Sequence, residues 1–275
     1  MGEWNLMKYL ACDLDGTLLN ENHGINEANI KGIIEFKEAG NKFIISTGRS
    51  LSSIYDLFSE YPEIEYDYIV ACNGAIVLDK DKNVIHSKFI GSEVAEGIFK
   101  EFLDNEDVCV HFESEGEHYL VDSNIPNLED VPKDMRGLYS HFKDRVSIED
   151  LFKDINERNY SIISLFSKNG DRNVAEKAKN KLVKSLGDDL EAFRNQFFVD
   201  IAPKGCTKGS GLKKILELNN VNEDKLYAIG DSFNDISMFN LTENSFTFHY
   251  AEDGVKEIAN NHVSSVEECI RKIID

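Results

Sequence analysis

Short apolar runs that stop on polar clusters recur along this chain. Leu10-Ala11-Cys12 runs into Asp13-Leu14-Asp15-Gly16, and Phe43-Ile44-Ile45 into Ser46-Thr47-Gly48-Arg49. Tyr68-Ile69-Val70-Ala71-Cys72 runs into Asn73-Gly74, and Leu226-Tyr227-Ala228-Ile229 into Gly230-Asp231. Between the first two, residues 29–39 place Ile30, Ile33 and Ile34 on one helical face, with Gly40-Asn41 as a C-terminal stop. A second helical stretch runs from Leu51 to Ser59. Near-continuous apolar strands separated by helices predict an α/β fold with a parallel sheet covered on both faces. Ligands of such sheets bind beyond the carboxyl ends of the strands. All of these polar clusters fall at that edge.

The middle of the chain has a different rhythm. Ile76-Val77-Leu78 and Val84-Ile85-His86 flank Asp79-Lys80-Asp81-Lys82-Asn83, a hairpin signal. A helix with Val94, Ile98 and Phe102 follows, then strands over 108–112 and 118–121. Residues 123–135 hold two of the four prolines and read as loop. A strand over 162–166, a helix over 172–186 and a strand over 197–201 close the segment. Strands, helices and hairpins mixed in this way predict an α+β module inserted into the parallel core. Its hinges are expected near residues 84 and 198, giving core over 1–84, insert over 85–197 and core again over 198–275.

Composition narrows the function classes. A chain of 275 residues with 41% hydrophobic content can bury more than one core. The formal net charge of -20 argues against nucleic acid or an anionic membrane as partner. It leaves room for a small phosphate ligand, because distant charges are screened and a local cation decides. The five cysteines are scattered without CxxC spacing, so they read as reduced cytosolic thiols and place the protein in the cytoplasm. No apolar run is long enough to span a bilayer. The first seven residues hold an acid and no apolar core, so they form no secretory signal, and Leu6 breaks a myristoylation pattern. The six residues before Met7 read as a frayed tail.

Two carboxylates one residue apart at a strand end repel each other and need a counter-charge. If the sheet is parallel, Asp13/Asp15, Thr47, Lys208 and Asp231/Asp235 converge. A divalent cation bound by Asp13, a backbone carbonyl near Asp15 and Asp231 relieves the repulsion, and an oxygen-only donor set suits Mg²⁺. Asp13, ionised, is then placed to attack phosphorus and form an aspartyl-phosphate. Asp15 is placed to protonate the leaving oxygen and later deprotonate the attacking water, which requires it to be free to carry a proton. Gly16 supplies the sharp turn. Thr47 and the Gly48 amide donate to phosphoryl oxygens, and Lys208 neutralises charge developing in the transition state.

Each cluster has a plainer reading alone. The Asp13 segment lacks the acid an EF-hand needs at the fifth position, where Thr17 stands. Thr47-Gly48-Arg49 by itself fits a strand end and helix start. The Lys208 loop does not meet the Walker pattern, and Lys208 by itself fits a solvated loop. Gly230-Asp231 by itself fits an Asx turn. The constellation is what carries the chemistry.

Asp-Leu-Asp-Gly-Thr-Leu-Leu at 13–19, Ser-Thr-Gly-Arg at 46–49, Pro-Lys-Gly-x-x-Lys-Gly at 203–209 and Gly-Asp-Ser-x-Asn-Asp at 230–235, in this order, resemble the four motifs of the haloacid dehalogenase superfamily. The large insert after Asn73-Gly74 is similar to that of its Cof-type (subclass IIB) phosphatases. The resemblance implies a Rossmann-like parallel sheet core with an inserted α+β cap of the C2 type. It implies Asp13 as nucleophile, Asp15 as acid/base, and Leu14, Thr47, Gly48, Lys208 and Asn234 at the phosphate. It further implies Mg²⁺ on Asp13, the Asp15 backbone and Asp231, with Asp235 in support through water or Lys208. One departure stands near the C-terminus: Phe248-His249-Tyr250-Ala251 has Tyr250 where the family often has Asn, which puts a polar role for that loop in doubt.

The expected activity is Mg²⁺-dependent phosphomonoester hydrolysis, with small phosphorylated metabolites such as sugar phosphates favoured by analogy. Asp at position 15 fits turnover by water; the superfamily's transport ATPases have Thr there. A receiver-type phosphoacceptor, an idle binding protein and a phosphomutase of the same fold are the alternatives. In the insert, His111, His118, Tyr119, Arg136 and His141 are candidate contacts to a leaving group, although isolated polar residues are usually just solvated.

Overall fold

A computed structural model describes residues 7–123, 125–133, 135–141 and 144–274. The six N-terminal residues expected to fray lie outside these. Two compact units divide the chain, the first running up to Ser87 and resuming at Thr207, the second spanning Lys88–Cys206.

The first unit begins with β1 (Tyr9–Cys12), all four residues buried. Then comes α1 (Glu27–Glu38), which buries Ile33 and Phe36 and ends before Gly40 at φ 84. After β2 (Lys42–Ser46), helix α2 (Leu51–Ser59) starts where the Ser50 side chain accepts the Ser53 N–H, a cap that satisfies one orphan donor. β3 (Tyr68–Ala71) leads into a tight turn in which Cys72, Asn73 and Gly74 all have positive φ. β4 (Ile76–Asp79) and β5 (Val84–Ser87) form the expected hairpin, its turn tied by Asp79, which accepts the N–H of Asp81 and Asn83.

The second unit contains α3 (Ser92–Phe102), β6 (Val108–Ser114), β7 (Glu117–Val121), α4 (Arg136–His141), β8 (Asp144–Val146), α5 (Ile148–Lys153), β9 (Tyr160–Ser167), α6 (Arg172–Leu186), β10 (Leu190–Asn195) and β11 (Phe198–Pro203). Its sheet has the order β10-β11-β9-β6-β7-β8. Ile98, Phe99 and Phe102 of α3 and Ala175, Ala178 and Leu182 of α6 pack on Val110, Phe112, Ile163, Leu165, Val199 and Ile201. Those sheet residues alternate along their strands, so one face is apolar throughout. On the opposite face, Cys109, Leu120 and Phe166 are met by Val131, Met135 and Tyr139.

The chain re-enters the first unit through α7 (Lys208–Asn219) and continues as β12 (Leu226–Ile229), α8 (Ile236–Phe239), β13 (Ser245–Phe248), α9 (Asp253–Lys256), β14 (Asn261–Val263) and α10 (Val266–Ile274). The sheet order is β14-β13-β12-β1-β2-β3-β4-β5. It is parallel from β14 to β3, and β4 and β5 are antiparallel additions. Leu212, Ile215 and Leu216 of α7 cover Ala11, Ile44, Val70, Val77 and Ala228 on one face, while α1 packs on β2 and on α10. Fully burying a Leu or Ile side chain contributes about 1.5–3 kcal/mol, so this layer contributes to holding α7 on the central strands.

The unit boundaries differ from the expected hinges. Residues 85–87 belong to the first unit because β5 pairs with β4 through Ser87. Residues 198–203 belong to the second because β11 pairs with both β9 and β10, as far as Pro203 opposite Leu190. Among the described residues no helix is long and apolar enough to cross a membrane.

Candidate active site

The site lies at the carboxyl edge of the first unit's sheet. Asp13 follows β1 directly, its N–H donating to the Ile229 carbonyl of β12 at 3.0 Å. Lys208 opens α7, whose N-cap Thr207 exchanges hydrogen bonds with Ser210 in a capping box. This start sits hard against the turn after β3: a Cβ on Gly74 would stand 2.0 Å from the Thr207 carbonyl oxygen. Only glycine fits there. From this anchored position Lys208 Nζ donates to Asp13 Oδ1 and to Asp235 Oδ1, each at 2.6 Å. All three side chains are buried.

Asp235 spends its other oxygen on the backbone. Its Oδ2 accepts the N–H of Asp231 at 3.0 Å and of Ser232 at 2.9 Å. Asp231 Oδ1 accepts from the Thr17 hydroxyl at 3.0 Å. A Cβ on Gly16, at φ 80, would stand 2.5 Å from Asp231 Oδ2, so the turn after β1 and the turn after β12 interlock only because residue 16 is glycine.

Carboxylate oxygens of Asp13, Asp231 and Asp235 lie within 4.8 Å of one another. Among the described residues no donor reaches Asp13 Oδ2 or Asp231 Oδ2, whereas both oxygens of Asp235 are occupied. Burial drives the pKa of Asp13 well above the usual carboxylate range; the Lys208 ammonium opposes this, and Asp235, Asp231 and Asp15 add to it. Asp231 is pushed up to about 7, first by burial and then by the Asp235 charge. Burial alone would lower Lys208, but the two carboxylates outweigh it and hold the ammonium above an ordinary lysine. Three carboxylates against one ammonium leave the cluster short of positive charge. A divalent cation would offset that deficit, and an oxygen-only donor set is of the kind that suits Mg²⁺.

Asp15 is placed differently from the expectation of a free proton carrier. Arg49 Nε donates to Asp15 Oδ2 at 2.7 Å and Nη2 to Oδ1 at 2.6 Å, a two-pronged pair that engages both carboxylate oxygens. Burial works to lower the Arg49 pKa, but the hydrogen bond and charge of Asp15 raise it overall. The sequence contained Arg49 within Ser-Thr-Gly-Arg without showing this partner.

Thr47 is buried, its N–H donating to the Val70 carbonyl at 2.8 Å and its Oγ1 accepting the Arg49 N–H at 3.1 Å. Gly48 lies between these two residues in the same loop. Asn234 is buried and donates through Nδ2 to Asn73 Oδ1 at 3.2 Å. The Leu14 side chain is fully buried, so only its backbone can meet a ligand. The structure thus joins Asp13, Lys208, Asp235 and Asp231 directly, joins Asp15 to Arg49, and joins Asn234 to Asn73. Thr17, Arg49 and Asn73 are the parts sequence reasoning missed. Their signals were the Thr after Asp-Leu-Asp-Gly, the Arg closing the second cluster, and the Asn-Gly ending β3.

Tyr250 corrects a further expectation, since its loop does keep a polar role. Its hydroxyl donates to the Gly16 carbonyl at 2.6 Å while its ring stacks on Phe248 at 4.8 Å. In the second unit, His111 and His118 stack with ring nitrogens 3.0 Å apart. Tyr119 stacks on Phe112, and Arg136 donates to the Val131 carbonyl, so neither is simply solvated. The His141 side chain lies outside the described residues.

An α/β protein with a parallel sheet, an inserted second unit and a buried, lysine-linked aspartate at the end of its first strand is the class that fold and site define. Residues 10–271 match the model of the haloacid dehalogenase-like hydrolases. The chain belongs to this family, and its motifs place it with the Cof-type phosphatases. Among its relatives, the 5-amino-6-(5-phospho-D-ribitylamino)uracil phosphatase YwtE of Bacillus subtilis is 27% identical over 269 residues, covering 91% of each chain. Phosphatase YwpJ of the same organism is 24% identical, covering 92% of this chain and 93% of its own. A haloacid dehalogenase-like hydrolase from B. subtilis superposes with a TM-score of 0.81 at 21% identity, covering 98% and 99%. The subclass IIB sugar phosphatase BT4131 does so with a TM-score of 0.75 at 22% identity, covering 95% of each chain.

Proposed function

We propose that the protein is a Mg²⁺-dependent phosphomonoester hydrolase that works through an aspartyl-phosphate on Asp13. One observation carries this reading: Asp13 is buried with Oδ1 fastened to Lys208, and among the described residues no donor reaches Oδ2, which leaves one carboxylate oxygen available for chemistry. Asp13 and Asp231 would hold Mg²⁺ with the backbone carbonyl at Asp15, and Asp235 supports them through Lys208 and the Asp231 N–H. When bound, Mg²⁺ supplies the positive charge that keeps Asp13 ionised and draws charge from the phosphoryl oxygens.

Asp13 Oδ2 attacks phosphorus, and the bond from phosphorus to the leaving oxygen breaks. Lys208, Thr47 and the Gly48 and Leu14 backbone amides stabilise the phosphoryl oxygens, with Asn234 beside them. Asp15 gives a proton to the leaving oxygen, then takes one from the water that cleaves the acyl phosphate, returning phosphate and free Asp13. Both Asp15 oxygens are held by Arg49 in the present geometry, so this role requires the pair to open when substrate enters.

The second unit is the α+β cap of the C2 type, which reads the leaving group. Small phosphorylated metabolites such as sugar phosphates are the favoured substrates, in keeping with the names of the relatives. The five buried, unbridged cysteines accord with a cytoplasmic location. The test is a phosphate-release screen over a panel of phosphomonoesters with Mg²⁺ and with EDTA. Release with Mg²⁺ and none with EDTA is expected; release unaffected by EDTA, or no release from any member, would overturn the reading.

A further inference from the structure

Asn73 takes an unusual place in the first unit. It follows β3 in the left-handed region at φ 51, immediately after Cys72 at φ 49, and its side chain is fully buried. Two consecutive non-glycine residues in that region cost backbone energy that the surroundings must impose. The surroundings here are the loops of the proposed site. The Asn73 N–H donates to the Thr47 carbonyl at 3.0 Å, and the Cys72 N–H donates to the Arg49 carbonyl at 2.9 Å. On the other side, Gly74 lies against Thr207, the residue before Lys208. The Asn73 side chain accepts from Asn234. One residue therefore touches or adjoins the Thr47, Lys208 and Asn234 loops.

The hydrogen-bond count around this pair does not close. Asn234 Nδ2 donates to Asn73 Oδ1, yet Asn73 Nδ2 and Asn234 Oδ1 are buried with no partner among the described residues. An unmet buried amide group is costly, and two such groups on one hydrogen-bonded pair are not what a purely structural asparagine leaves behind. Left-handed geometry alone is met by glycine without any orphaned group.

We infer that Asn73 is a further phosphate-side residue, acting with Asn234 as one hydrogen-bonding unit; this rests on the phosphatase reading above. Its Oδ1 fixes the orientation of the Asn234 carboxamide, and its Nδ2 is the donor held ready for a phosphoryl oxygen. Asn234 Oδ1 is the matching acceptor for a water or protonated oxygen beside it. The backbone bonds to Thr47 and Arg49 keep this donor in register with the second motif.

The test is steady-state hydrolysis of p-nitrophenyl phosphate with Mg²⁺ by the wild type, Asn73→Gly, Asn234→Ala and the double variant, with the melting temperature of each. Glycine eases the left-handed backbone but leaves the buried Asn234 Nδ2 without its acceptor, so Asn73→Gly is expected to stay folded at the assay temperature with a melting temperature lowered by no more than a few degrees. Its kcat is expected to fall on the order of 100- to 1000-fold, as when one transition-state donor is removed. The double variant is expected to be no slower than the slower single variant, because the two act as a unit. Asn73→Asp retains the acceptor and tolerates the left-handed region but lacks the donor, so it is expected to lose kcat as well. Wild-type kcat in Asn73→Gly, or losses that add in the double variant, would overturn the inference while leaving the phosphatase reading intact. A wild type without turnover would overturn both.

Discussion

Two carboxylate–cation pairs stand two residues apart in this chain and differ in almost every physical respect. In the first, the Lys208 side chain is 0% exposed and that of Asp13 5%; in the second, Arg49 is 23% exposed and Asp15 29%. The buried pair is shared, with one ammonium between Asp13 and Asp235, and no solvent weakens it. The half-exposed pair is a private two-pronged contact that water can replace. Removing one partner of a buried pair strands a charge in low dielectric, whereas a solvent-exposed pair contributes little to stability. Asp13 is thus a fixture and Asp15 is latched, which would suit the proposed roles of a nucleophile that must not move and an acid/base that must.

The largest effect that can break this comparison is at Lys208. Lys208→Met is expected to lower stability by roughly 3–5 kcal/mol in denaturant melts, because Asp13 and Asp235 lose the ammonium they share. It is also expected to abolish phosphate release. A variant as stable as the wild type would show the buried pair to be no fixture.

The next effect is on pH dependence. The folded pKa of Asp231 is raised to about 7, with Asp13 raised in the same direction, so the folded state binds protons more tightly than the unfolded chain. Stability is then fully present at pH below the ordinary carboxylate value and is lost as pH rises through about 7. In EDTA the melting temperature is expected to fall across that window, and added Mg²⁺ is expected to flatten the fall. A melting temperature that rises between pH 5 and pH 7 in EDTA would contradict the crowded-carboxylate account.

Smaller still is the change expected at Arg49. Arg49→Ala should cost less stability than Lys208→Met, about 1 kcal/mol for a partly exposed pair, while altering kcat through the freed Asp15. A loss as large as that of Lys208→Met would erase the distinction between the two pairs. Tyr250→Phe should have the slightest effect, about 1 kcal/mol for one hydrogen bond to the Gly16 carbonyl, read as a small drop in melting temperature.

Much of the core and its site was legible because the informative residues are contiguous. Strand β12 at 226–229 and helices α2 at 51–59 and α6 at 172–186 fall where the apolar spacing put them, since the helices each bury one regular face and the strand is buried nearly throughout. Asp13, Thr47, Lys208 and Asp231 each terminate or begin an element whose direction the parallel sheet dictates. What stayed hidden depends on loops returning from far away. The Asp15–Arg49 latch joins residues 34 apart and the Asn73–Asn234 pair residues 161 apart, and neither distance leaves a periodic trace. Strand β8 and helices α4 and α5 are short, so they offer too few repeats for a pattern. Tyr250 was visible as a departure, but its bond to Gly16 follows from the position of the loop after β13.

The central claim is that Asp13 performs the chemistry. Its most direct test is phosphate release by Asp13→Asn beside the wild type, with Mg²⁺ present and the fold of the variant checked by circular dichroism. The account predicts that a folded Asp13→Asn releases phosphate no faster than buffer; release at a rate near that of the wild type would contradict it.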